Sequence, residues 1–187
     1  MLPSAQPGQI ARYTSSCEVF DPATNTFAPT APLVHTLGTQ TYTGRAFHGA
    51  TRLPNGRVLL TGGFVAQIST GTTNDETITS SFTESWDPVT GAWTPGTGLP
   101  IGIAYHGQEP FGNGVLISGG FSGPLSSLPT SSSTGVFDGT TLTVLAPSPG
   151  GGRGAHTLTR LCDGTFLVYG GGAWPNTLGD GWIFAPN

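Results

Sequence analysis

Residues Arg45 to Phe64 read RAFHGATRLPNGRVLLTGGF: an arginine, a histidine, a short strand-like run, a Pro-Asn-Gly corner, an apolar run and two glycines. A glycine doublet directly behind Val58-Leu59-Leu60 marks a place where the backbone must turn sharply while something crowds it. Glycine alone tolerates both demands, having no Cβ. The same order of parts returns at Ile103–Gly120 (IAYHGQEPFGNGVLISGG) and at Gly154–Gly171 (GAHTLTRLCDGTFLVYGG). The second glycines stand at 63, 120 and 171, 57 and 51 residues apart. Self-similarity at such a period points to a repeat architecture.

Between these modules lies a second recurring unit: SSCEVFDPATNTFAPT (Ser15–Thr30), FTESWDPVTGAWTPG (Phe82–Gly96), STGVFDGTTLTVLAP (Ser133–Pro147) and the shorter DGWIFAPN (Asp180–Asn187). Each opens with a strand ending in an aromatic. In all but the last, an Asp-Pro or Asp-Gly corner follows, and then a resuming strand. Asp accepts hydrogen bonds from its own downstream backbone and Pro presets φ, so each unit reads as a hairpin. One module plus one hairpin gives four antiparallel strands in about 50 residues, the length of a propeller blade.

Composition agrees. Gly (30) and Pro (16) make up about a quarter of the 187 residues, yet the 36% hydrophobic residues cluster in short runs between turn signals, as in an all-β protein. The length suits one domain. The formal charge of −4, with six arginines and no lysine, offers no basic stripe for nucleic acid. No apolar run approaches the roughly 20 residues of a membrane-spanning helix, so no membrane insertion is expected. Low charge and abundant Ser, Thr and Gly suit an extracellular or cell-surface protein. Cys17 and Cys162 lack zinc-type spacing and read either as idle thiols or as a disulfide joining the first strands to the last.

The histidine, Gly-Gly, aromatic-Asp-Pro and tryptophan order resembles the kelch repeat, in particular its bacterial and galactose-oxidase-like branch. The resemblance runs from Ser15 to Asn187. It implies one kelch-type β-propeller domain over residues 1–187, of about three and a half four-stranded blades. Residues 14–44 form a partial blade and linker, 45–100 and 101–150 a blade each, and 151–187 a partial blade. Propellers close with four to eight blades, so the ring is expected to be completed by sharing of terminal strands or by oligomerisation.

In such a ring the tight corners (Pro54-Asn55-Gly56, Gly112-Asn113-Gly114, Asp163-Gly164) leave on one face. The long loops Phe64–Ser81, Phe121–Ser132 and Gly172–Gly181 leave on the other, beside Arg45, Tyr105, His106 and Arg153. Binding is expected there, through Arg45, Tyr105, His106, Phe121, Arg153 and Trp174: arginine for carboxylate or carbonyl groups, aromatics for stacking on sugar or peptide. Among the carboxylates free of corner duties, Asp75-Glu76, inside a long loop, and Glu109 stand out as able to bind a cation or sugar hydroxyls. His48, His106 and His156 recur at one position in every repeat, which indicates a structural bond to a neighbouring blade and not a metal cluster. Blade two carries Ile103 where the others carry Arg45 and Arg153, which would leave one side of the channel mouth less basic.

Galactose-oxidase-like enzymes carry a Tyr-His pair as copper ligands at a point similar to Tyr105-His106. They also need a tyrosine cross-linked to cysteine and a histidine from a further domain. Neither Tyr13, Tyr42 or Tyr169 nor either cysteine stands in a matching context. Elbow, phosphate-loop and zincin motifs are absent. The expectation is a non-catalytic scaffold without cofactor or metal, recognising a protein or polysaccharide partner. A carbohydrate-active copper oxidase fragment is the alternative.

Overall fold

The computed structural model describes residues 13–37, 40–67, 76–173 and 175–186. The described residues contain only strands, turns and bends. In chain order the strands are β1 (Glu18–Asp21), β2 (Thr26–Pro29), β3 (Val34–Leu37), β4 (Gln40–Thr43), β5 (Gly49–Arg52), β6 (Val58–Thr61), β7 (Phe64–Gln67), β8 (Glu76–Thr79), β9 (Thr83–Asp87) and β10 (Ala92–Pro95). They continue with β11 (Gly107–Phe111), β12 (Gly114–Ser118), β13 (Thr134–Phe137), β14 (Leu142–Val144), β15 (Thr157–Arg160), β16 (Phe166–Tyr169), β17 (Gly172–Ala173), β18 (Asn176–Thr177) and β19 (Gly181–Phe184).

Two antiparallel four-stranded sheets result, β5-β6-β9-β10 and β11-β12-β13-β14, followed by a three-stranded sheet β15-β16-β19. A hairpin β1-β2 precedes them. Each four-stranded sheet joins one histidine module to one Asp-cornered hairpin, and the third joins its module to the single strand β19, as the repeat implies. Strand β11 lies against β5 on one side and β15 on the other, so the sheets stack side by side along their first strands. This is a propeller arrangement, in which each blade presents one face to its predecessor and one to its successor.

Strand β12 shows why the middle strand must be apolar along its whole length. Successive side chains point to opposite faces. Val115 and Ile117 join Leu53, Leu59, Leu99, Ile103 and Phe137 between the first and second blades. Leu116 faces the other way and packs with Leu158, Phe166 and Val168 of the third sheet. All five residues Gly114–Ser118 are buried. Burying Val115, Leu116 and Ile117 stabilises the stack by on the order of 6 kcal/mol.

The corners form as their chemistry dictates. Asp21 accepts from the Ala23 N–H, Asp87 from Val89 and Asp138 from Thr140, each at 2.8 Å, and Asp163 accepts from Thr165 at 3.0 Å. These bonds, with an Arg57 side-chain bond leading at Asp87, the Thr141 N–H at Asp138 and a Thr165 hydroxyl at Asp163, hold all four carboxyls below the usual aspartate range.

Two features depart from expectation. The long connections are partly paired: Phe64–Gln67 and Glu76–Thr79 form a hairpin, Gly172-Ala173 pairs with Asn176-Thr177, and Phe121 bridges Thr130. Burial of Phe64 and Val65 at 2% exposure each gives the first of these an anchored base. The supposed linker also contains a hairpin, β3-β4. As for ring closure, β1-β2 and β15-β16-β19 are separate sheets, so among the described residues the chain does not close by sharing terminal strands. Both cysteines are free thiols.

Candidate functional site

The site grows from the glycine doublets. Gly62 and Gly63 have φ of 63° and 96°, Gly119 and Gly120 61° and 103°, Gly170 and Gly171 68° and 92°, all left-handed. A Cβ on Gly63 would stand 2.8 Å from the Ala46 carbonyl oxygen, and one on Gly171 2.6 Å from that of Gly154. The doublet thus turns the chain so that the next residue pairs back onto the segment before the histidine. Ala46 bridges Phe64, Ala104 bridges Phe121 and Gly154 bridges Gly172.

Immediately after each bridge, Phe47, Tyr105 and Ala155 adopt φ of 57°, 55° and 56°. For a bulky side chain this conformation costs about 1–2 kcal/mol and persists only where surroundings impose it. Here the imposing device is a chain of backbone bonds between blades. Tyr105 N–H donates to the Phe47 carbonyl at 3.0 Å, and Ala155 N–H to the Tyr105 carbonyl at 2.8 Å.

The left-handed turn gathers aromatic rings. Phe47 stacks on Tyr105 at 4.1 Å with 21° between planes. Phe64 meets both edge-on, at 6.2 and 6.0 Å, and Phe121 stands at 90° to Tyr105 at 6.0 Å. Phe64 is buried, Phe121 and Tyr105 are half-buried, and Phe47 is 51% exposed. In the third repeat Ala155 takes the aromatic's place, and Gly154 leaves room for the Phe121 ring. The outcome is a stacked shelf of two rings at the base of the long loops, stepping down toward Ala155. Phe47 was not singled out from sequence, although its place before His48 matches that of Tyr105 before His106.

Arg45 and Arg153 do not reach this shelf. Arg45 is 7% exposed; its Nη1 donates to the Gly62 and Phe82 carbonyls, both at 3.0 Å, and its Nη2 pairs with the buried Glu84 carboxylate. Arg153 is fully buried and bonds the Gly150 and Gly170 carbonyls and Asp180. Both guanidiniums are spent inside the fold, holding each doublet to the strand that follows, so neither meets a partner arriving from solvent. Ile103, 6% exposed, fills the equivalent slot in the second blade, which confirms an interior position.

His106 is likewise internal. Its Nε2 lies 2.8 Å from the Thr61 hydroxyl of the preceding blade, which also bonds Gln108. The expected inter-blade bond is present at His106, made to a side chain and not to backbone, whereas neither ring nitrogen of His156 has a partner among the described residues. Burial, above all, depresses the histidines at 48, 106 and 156 to about 4, with Arg45 adding to the effect on His48 and Arg153 on His156. All three are neutral near pH 7. Burial, with Tyr13 nearby, raises the Tyr105 hydroxyl above its ordinary range, so it remains protonated.

Trp174 and Asp75 lie outside the described residues, as does the side chain of Glu76. Glu109 faces the third sheet, its carboxyl raised by burial against the pull of Arg160. Among the described residues no three His, Cys, Asp or Glu side chains are grouped to hold a metal ion. A separate apolar cleft of about 180 Å³ opens between the first two blades, lined by Leu99, Ile101, Ile103, Ile117, Leu142 and Val144.

Stacked antiparallel sheets joined by an axial chain of backbone bonds define a propeller-type fold. Comparison with known structures agrees on the fold. YjhT, a propeller-type protein, is similar with a TM-score of 0.64 at 13% sequence identity, over 90% of this chain and 48% of that one. The chain therefore spans about half the length of YjhT. No family model and no curated protein matches the sequence.

Proposed function

We propose that the chain is a non-catalytic binding module whose ligand is a neutral carbohydrate stacked on the Tyr105–Phe47 shelf. The observation that carries this is a pair of parallel rings, one of them 51% exposed, held at positive φ where no packing demand of its own requires an aromatic. Ala155 adopts the same backbone conformation in the third repeat, so the turn itself does not require an aromatic. A flat apolar ring face suits the C–H face of a pyranose, while the hydroxyls of Tyr105 and of the Ser- and Thr-rich loops suit its rim. With Arg45 and Arg153 internal, neither guanidinium is available beside the shelf to favour an acidic sugar. Neutral histidines supply neither charge nor a proton at pH 7. A polysaccharide outside the cell is the natural source of such a ligand.

The test is a titration of the isotope-labelled protein with neutral hexasaccharides, one of glucose and one of galactose. Saturable shifts are expected at the amides of Phe47, Tyr105 and Phe121. Tyr105→Ala weakens binding by about 3- to 10-fold, the worth of one aromatic contact. Absence of saturable shifts up to about 10 mM, where affinities weaker than ~3 kcal/mol lie, would contradict the proposal.

A further inference from the structure

The joint between the first and second blades and the joint between the second blade and the third sheet hold a histidine in the same slot. At the first, the His106 ring lies between Gly49 and Gly62: a Cβ on Gly49 would stand 2.7 Å from its Nε2, and one on Gly62 3.1 Å from its Cε1. At the second, the His156 ring lies between Gly107 and Gly119, at 2.8 Å and 2.7 Å by the same measure.

What surrounds the two rings differs. Four side-chain hydrogen bonds cross the first joint: Thr61 with His106 at 2.8 Å, Thr61 to Gln108, and Gln108 Nε2 to the Thr51 hydroxyl at 3.0 Å and to the Leu59 carbonyl at 3.3 Å. At the second, Ser118 precedes the glycine doublet where the first has Thr61, and Leu158 follows the histidine where the first has Gln108. Leu158 offers no polar atom. Ser118 Oγ and both His156 nitrogens have no partner among the described residues, nor has Ser148 Oγ in the same seam. Ser118, Ser148 and His156 are 1%, 6% and 8% exposed, so bulk water does not supply the bonds. Apolar packing of Leu116, Leu158, Phe166 and Val168 holds this joint, with backbone bonds from Ala155 N–H to the Tyr105 carbonyl and from Gly120 N–H to that of Arg153.

The charged and titratable groups about His156 give its ring no acceptor. In its own sheet Arg153 opposes a proton on the ring, Asp180 is tied to Arg153, and Tyr169 of β16 is exposed. From the second blade come His106, itself a neutral imidazole, Tyr105, whose ring stacks in the shelf, and Glu109, which faces Arg160. Strand β12 carries no titratable side chain.

We propose that the second joint is an acid-sensitive hinge: protonation of His156 parts β11-β12 from β15-β16 while the first joint stays closed. A cation in a closed slot, beside an arginine and without an acceptor, is far costlier than in water. At the first joint Thr61 donates to Gln108, so His106 Nε2 donates to Thr61, a bond that protonation of the ring leaves in place. Opening there must break it and three others at any pH. The sign follows from the second ring. His156 binds a proton near 6.5 when solvated and at about 4 in the slot, through burial first and Arg153 second. Opening therefore takes up a proton, so the closed joint is fully favoured above pH 6.5 and loses ground as pH falls toward 4.

The test is amide hydrogen exchange of the full chain, followed residue by residue by NMR between pH 7 and pH 5. Protection is taken relative to an unstructured peptide at the same pH, which removes the pH dependence of the exchange chemistry. The Ala155 and Gly120 amides report the second joint, and those of Tyr105 and Gly63 the first. Protection at Ala155 and Gly120 should fall by about 20-fold from pH 7 to pH 5, the ratio set by the solvated and enclosed proton affinities of His156. At pH 5 it should lie at least about 10-fold below that at Tyr105 and Gly63, which four further side-chain bonds guard. His156→Leu should hold protection at Ala155 and Gly120 within about 3-fold over the same range. Leu158→Gln, which gives the seam the carboxamide that Gln108 gives the first joint, should raise it at pH 5. Protection at Ala155 and Gly120 that does not change with pH in the wild type would overturn the hinge. So would an undiminished fall in His156→Leu, or a first joint whose amides exchange before those of the second.

Discussion

Removing the Arg45 guanidinium probes the internal clamp that sets the shelf. In Arg45→Met the Glu84 carboxylate, with 1% of its side chain exposed, loses its counter-charge, and the Gly62 and Phe82 carbonyls lose a donor. Breaking a buried pair costs about 3–5 kcal/mol, and the orphaned carbonyls act within the same site, so about 4 kcal/mol is expected. In a domain of this size that lowers the melting temperature by roughly 12 °C. Replacing both partners, Arg45→Met with Glu84→Leu, removes the stranded charge and should cost only about 1–2 kcal/mol, for the carbonyls alone. The sign with pH is fixed as well. Burial already raises the Glu84 carboxyl, and loss of Arg45 raises it further. The folded single variant then binds the proton more tightly than the unfolded chain. Its deficit should shrink as pH falls toward the ordinary glutamate range and grow as pH rises through the raised value. Urea unfolding followed by tryptophan fluorescence measures the wild type, the single variants Arg45→Met and Glu84→Leu, and the double variant. A single-variant cost below about 1 kcal/mol, or a double variant as unstable as the sum of the singles, would refute the clamp.

Further outcomes follow from the same geometry. Lowering pH from 7 to 5 should cost about 2 kcal/mol for each of His106 and His156, because their depressed folded values near 4 leave the unfolded chain binding the extra proton. Stability is thus present above pH 6.5 and lost as pH falls toward 4, and His106→Gln should flatten that slope in urea titrations. Gly62→Ala should cost at least about 3 kcal/mol, since its Cβ would collide with the Ile103 carbonyl as well as strain the backbone. Gly112→Ala, at φ 57° with open space around it, should cost only about 1 kcal/mol, measured the same way.

The blade order was legible because its causes are local. Glycine doublets, Asp corners and strands apolar on both faces each leave a mark within a few residues, and three copies agreed. The site was less legible because burial is a long-range fact. Arg45 and Arg153 look like surface cations in a chain poor in charge. What betrays them is Ile103 in the same slot, an interior residue type standing where the others carry arginine. Glu84, the partner of Arg45, lies 39 residues away in a strand whose counterparts carry Gly135 and Trp182, so no repeat pattern pairs the two. Phe47 was missed although Phe-His and Tyr-His stand in register. The connection after the first doublet looks like a loop in the sequence because its Thr and Ser content hides an alternating Thr77-Ile78-Thr79 strand.

Radial stacking of the sheets is tested most directly by through-space proton contacts between methyl groups in solution. Side-by-side blades predict cross-peaks from Leu59 to Ile117 and from Leu116 to Val168, with none from Leu59 to Val168. Cross-peaks joining Leu59 directly to Val168, as in a two-layer sandwich, would contradict it.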